Sequence, residues 1–202
     1  MLIEHGADVN IGHHDGVTPL IDAALSGLIT VAQLLIEHRA HINQVDSFGS
    51  TPLKSAILDG HPSLAEFLIQ SGANVTLVEN QYRKTSLSYA AVQGQYTVAQ
   101  LLIQGGANVH HVDREGNTPL VSAARFGKYS VVQLLIENGA EMSQANVPRR
   151  RLMLSIKNDP LMRRLLAIIS PLRVIQNSVT SNQTFDDIRA SLLEEGEEGI
   201  PP

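Results

Sequence analysis

A triplet that returns at a nearly constant interval constrains this chain more than any other feature. Thr18-Pro19-Leu20 recurs as Thr51-Pro52-Leu53, Thr85-Ser86-Leu87 and Thr118-Pro119-Leu120, at intervals of 33, 34 and 33 residues. Other positions keep the same register. An Ala follows each Thr by five residues (Ala23, Ala56, Ala90, Ala123) and a Gly by nine (Gly27, Gly60, Gly94, Gly127). An apolar pair comes next, Leu34-Leu35, Phe67-Leu68, Leu101-Leu102 and Leu134-Leu135. Each unit then closes on Arg39-Ala40, Gly72-Ala73, Gly106-Ala107 or Gly139-Ala140. So many coincidences in one register define an internal repeat, the mark of a stacked array.

The chemistry of each position predicts two helices per unit. Thr is a good N-cap, and Pro at the first helical position has a suitable φ and no N–H to leave unpaired. Leu and Ala three residues apart share one helical face, with Ala small enough for close packing. The Gly nine residues after Thr suits a left-handed helix end, as does the Gly of the later Gly-Ala pair. Arg39 stands at the latter position in the first unit, where a left-handed backbone costs about 1 kcal/mol. The second helix of that unit is expected over Val31 to Glu37. Between units, Asp15-Gly16, Phe48-Gly49 and Glu115-Gly116 suit tight hairpin-like turns. A unit of this kind cannot bury its own apolar face and must stack on its neighbours.

The period, the T-P-L-x-x-A pattern, the Gly after the first helix and the G-A-[DN]-V-N segment together resemble the ankyrin repeat, over about residues 1 to 142. The expected fold is all-α, an ankyrin-type helix–turn–helix solenoid with short β-hairpin-like turns. One departure is consistent: the His usual after Thr-Pro-Leu is Ile21, Lys54, Ser88 and Val121 here. The hydrogen bond between that His and the Thr is then missing, which predicts units less rigid than consensus repeats. The resemblance also implies asparaginyl hydroxylation as an available modification, for which Asn10 and Asn43 have the preferred Leu eight residues earlier.

Residues 1–10 match the end of a repeat whose first helix is absent, and an exposed apolar face is expected there. Residues 11–142 hold four repeats. Residues 143–170 keep the register without the motif, as a degenerate capping repeat would, and 171–202 form a polar and acidic tail expected to be partly disordered.

Composition narrows the function classes. Without Cys there are no disulfides, thiolate metal sites or cysteine nucleophiles, which fits a reducing compartment. A net charge of −5 gives no global reason to bind nucleic acid or an acidic membrane. No apolar run approaches the ~20 residues that span a bilayer. His13-His14 and His110-His111 sit at different repeat positions and complete no metal site. No phosphate loop, His-Glu-x-x-His or nucleophile elbow is present. The expectation is a non-enzymatic, monomeric module of the cytoplasm, without cofactor, metal, nucleic acid, membrane or small-molecule substrate. The basic run Arg149-Arg150-Arg151 makes the nucleus the alternative address.

A comparison of the four units with one another separates scaffold from surface. Leu, Ala and Gly positions barely vary, whereas turn tips and the seventh and eighth residues after Thr vary widely. By the resemblance these line the finger tips and concave face, where protein partners bind. The expected contact residues are Phe48, Tyr82, Arg83, Lys84, Arg114, Arg125 and Phe126. The third turn stands out: its unit has 34 residues, and Arg83 replaces the Gly of the other tips. Tyr and Arg are enriched at binding hot spots. The competing expectation is recruitment of substrates to a multi-subunit enzyme such as a ubiquitin ligase, although residues 171–202 lack a Leu-Cys-Arg-like adaptor box.

Overall fold

The computed structural model describes residues 6–142, apart from positions 14 and 80, together with Met162. The degenerate cap and the tail otherwise lie outside the described residues. Eight helices alternate with turns among those described: α1 (Pro19–Leu25), α2 (Ile29–Glu37), α3 (Pro52–Leu58), α4 (Pro62–Gln70), α5 (Ser86–Gln93), α6 (Tyr96–Gln104), α7 (Pro119–Arg125) and α8 (Tyr129–Glu137). The odd-numbered helices pack in succession as one layer, and the even-numbered helices form a second layer against them.

Each repeated position does the local work its chemistry predicts. Thr18, Thr51, Thr85 and Thr118 cap the first helices, accepting at Oγ1 from Ile21 N (3.4 Å), Lys54 N (3.1 Å), Ser88 N (3.2 Å) and Val121 N (3.3 Å). The loss of reciprocity expected without the His does not hold in the third unit. There Ser88 Oγ lies 3.5 Å from Thr85 N and 3.1 Å from Thr85 Oγ1, completing a capping box.

At the other end of the first helices, Gly27, Gly60, Gly94 and Gly127 have φ of 68°, 76°, 76° and 63°. The following N–H reaches back to the repeated Ala carbonyl, as in Leu28 N to Ala23 O and Lys128 N to Ala123 O, both 2.9 Å. This long return bond draws the chain directly into the second helix, which has no side-chain N-cap in any unit. The second helix of the first unit therefore starts at Ile29, two residues before the expected Val31. Second helices end the same way, with Ala40 N to Leu35 O at 2.9 Å and Arg39 at φ 65° where the other units have glycine.

The core follows from the pattern. The repeated Ala residues and Leu35, Leu68, Leu102 and Leu135 are buried. Met162 is also fully buried in the same core. Of residues 1–10, where an exposed apolar face is expected, 1–5 lie outside the described residues and Val9 is buried; an exposed apolar residue is found instead on α2. Val31 is 40% exposed, whereas Leu64, Val98 and Val131, its equivalents in units that follow another described unit, are at most 2% exposed. Asn10 and Asn43 add bolts between units: Asn10 Oδ1 accepts from His41 N, and Asn43 Oδ1 accepts from Asn74 N, both at 2.7 Å.

Candidate partner-binding surface

Fingers project where the chain passes between units, and in the second and fourth their shape is set by one carboxylate. In the second finger Asp46 Oδ1 accepts from Phe48 N (2.9 Å) and Ser50 N (2.7 Å). In the fourth, Asp113 Oδ1 accepts from Glu115 N (2.9 Å) and Asn117 N (2.8 Å). Backbone bonds from Asp46 N to Ser50 O (3.1 Å) and from Asp113 N to Asn117 O (2.9 Å) close these turns. Gly49 and Gly116 (φ 74° and 84°) supply the left-handed residue that such a turn requires.

The third finger departs from this plan. Its closing bond, Glu79 N to Lys84 O (2.9 Å), encloses one residue more, and a single antiparallel bridge joins Val78 to Thr85. Arg83 takes the left-handed position of the missing Gly, at φ 54°. The Glu79 carboxylate turns inward, where its Oε1 lies 3.0 Å from Lys54 Nζ and its Oε2 accepts a short hydrogen bond from the Tyr89 hydroxyl. Lys54 is only 8% exposed and Glu79 9%. Lys54 occupies the position of Ile21 and Val121, both fully buried, so its ammonium needs a counter-charge. Burial and the bond to Glu79 push the Tyr89 hydroxyl well above the usual phenol range.

Beside this trio a cavity of about 230 Å³ opens between the second and third fingers. Lys54 Nζ lies 5.6 Å from the Tyr89 ring centre, and Lys84 Nζ lies 5.9 Å and 6.0 Å from those of Tyr82 and Tyr89. All three are within cation–π range.

The expected contact residues fall into one cluster and three outlying positions. Tyr82, Arg83, Lys84 and Arg114 come together, because the third and fourth fingers are latched. Arg114 N donates to Tyr82 O (2.9 Å), Arg114 Nη1 donates to Gln81 O (3.1 Å), and the His111 ring meets Arg83 O at 2.6 Å. Phe48 sits alone on the second finger, 65% exposed, and Phe126 follows α7 at 57%. Arg125 Nη1 donates to Asn117 Oδ1 (3.3 Å), at the root of the fourth finger. His110 and His111 join no metal-binding group, and no cluster of three or more His, Cys, Asp or Glu suited to a metal exists among the described residues.

The trio of Lys54, Glu79 and Tyr89 was not foreseen. A signal for it did exist. A lysine at a position otherwise held by Ile, Ser and Val demands a partner, and the lengthened unit follows immediately.

These observations define a helix–turn–helix solenoid with exposed, variable fingers. A family model described as ankyrin repeats (3 copies) matches residues 1–79 and again 77–146. The chain belongs to the ankyrin repeat family, whose members are generally protein–protein interaction modules and typically non-catalytic. No curated protein matches it. No helix among the described residues is long and apolar enough to cross a membrane.

Proposed function

We propose that this protein is a monomeric recognition module that holds a protein partner on its finger tips and concave face, without catalysis. The observation that carries this reading is the cluster at the third and fourth fingers. It pairs an exposed Tyr82 with Arg83, Lys84 and Arg114, with the third finger latched to the fourth by three hydrogen bonds. Latching lowers the entropy lost when a partner binds, and a rigid aromatic beside cations is typical of residues that dominate interfaces. Phe48 and Phe126 extend the surface along the stack.

The test is partner capture by the full chain and by a Tyr82→Ala, Arg83→Ala double variant. Both side chains are exposed, so thermal stability should stay within about 0.5 kcal/mol of the parent. Affinity for the captured partner should fall more than about tenfold. Unchanged affinity in the folded double variant refutes the reading.

A further inference from the structure

The lining of the cavity beside the third finger holds more cations than anions, although the chain as a whole carries −5. Two ammonium groups line it. Lys54 is matched by Glu79, the only carboxylate in the lining. Lys84 is half-buried, and no described residue gives its ammonium a hydrogen bond or an ion pair. Its neighbours are the faces of Tyr82 and Tyr89, which stabilise a cation without neutralising it.

Further cations lie on the adjoining turns: Arg83, next in the chain to Lys84, is exposed, and Arg114 is exposed on the fourth finger, which is latched to the third. The carboxylates of the fourth finger keep their charge but are held in their own turn: Asp113 is buried and accepts from two backbone N–H groups, and Glu115 accepts from Asn117 Nδ2 at 3.2 Å, so neither pairs with Lys84. The remaining wall is apolar, with Val45 and Leu77 each more than a third exposed. A partly desolvated cation beside an apolar wall suits a carboxylate on a short methylene stem.

We propose that the cavity between the second and third fingers is the socket for an acidic side chain, foremost glutamate, of the protein partner, with Lys84 as its counter-charge. The inference rests on the finger-tip reading above and gives the partner its chemistry. A basic segment would meet the unpaired Lys84 beside the exposed Arg83 and be repelled.

The test titrates the isotope-labelled full chain by NMR with acetyl-Ala-Glu-Glu-Ala-amide and with the matching Gln peptide. The Glu peptide should bind weakly, at roughly millimolar dissociation constant, and shift the amides of Gly49, Lys84 and Tyr89. The Gln peptide should bind about tenfold more weakly, since a charge-assisted hydrogen bond is about twice as strong as a neutral one. Lys84→Met should remove the preference for Glu, and Lys84→Arg should retain it. Equal response to both peptides, no response to either, or a preference that survives Lys84→Met overturns the proposal. Should Lys84→Met fail to fold, the Glu and Gln peptides on the parent chain decide. A uridine octamer that binds more tightly than the Glu peptide, and equally through Lys84, also overturns it and gives the socket to phosphate. Loss of partner capture in the Tyr82 and Arg83 variant without discrimination between peptides retires the acidic socket and keeps the fingers. Unchanged capture retires the fingers whatever the peptides do.

Discussion

Glu79→Gln isolates the energetic weight of the buried trio. The substitution keeps the shape of the side chain, and its amide oxygen can still accept from the Tyr89 hydroxyl. It removes only the charge opposite Lys54 Nζ, 3.0 Å away in the parent. Lys54 is then a cation with 8% exposure whose remaining acceptor is the Gly49 carbonyl, at 3.5 Å. Removing one member of a buried pair costs about 3–5 kcal/mol. The adjoining cavity lets water approach, so the lower end, about 3 kcal/mol, is expected here. For a stack of this size that is a fall in melting temperature of roughly 6–12 °C. Replacing both partners, as Lys54→Met with Glu79→Leu, should recover most of the loss, because no charge is then buried. Urea unfolding of the parent, Lys54→Met, Glu79→Leu and the double variant completes a cycle whose coupling energy measures the pair. A Glu79→Gln variant within about 0.5 kcal/mol of the parent would refute the view that Lys54 depends on Glu79.

Two further outcomes follow from local geometry. Arg39→Gly should stabilise the stack by about 1 kcal/mol in urea unfolding, since Arg39 has φ 65° and glycine takes that conformation without a Cβ clash. The Tyr89 hydroxyl is raised above the usual phenol value of 10.0, so the folded state holds this proton more tightly than the unfolded chain. Its stabilising contribution is complete below pH 10 and is lost as pH rises from there toward the folded value. Tyr89→Phe should therefore show a shallower loss of stability between roughly pH 10 and 12, and parallel pH curves for parent and variant would contradict the assignment.

Much of the scaffold was legible because stacking repeats the same physical problem four times. Thr caps, left-handed glycines and buried alanines recur wherever the same packing recurs, so their spacing alone predicts α1 to α8. Even the exceptions were readable: Arg39 and Arg83 stand where glycine stands in other units, and both adopt positive φ. The exposed fingers could also be placed, since residues released from packing are free to differ. What could not be read was the pairing of residues 25 positions apart. Lys54 stood out only as a departure from the usual His of one unit, and nothing in the spacing marked Glu79. Only stacking brings the second helix pair onto the root of the third finger, and only there does the added residue let a carboxylate swing inward. The Asn10 and Asn43 bolts were hidden for the same reason, because each side chain bonds to the backbone of the next unit.

The Lys54–Glu79 pair also bears on the order of the units. A solenoid built only from Leu, Ala and Gly contacts could exchange one repeat for another with little penalty, as modular arrays do. Here the second unit carries half of an ionic bond and the third finger carries the other half. Before the second or fourth finger, Lys54 would meet an aspartate already held by its own turn, and after Ile21 or Val121 the third finger would present a carboxylate to an apolar side chain. The pair therefore acts as an address written into the interface. It gives an otherwise interchangeable series a direction and a sequence, and it favours the second and third units unfolding together.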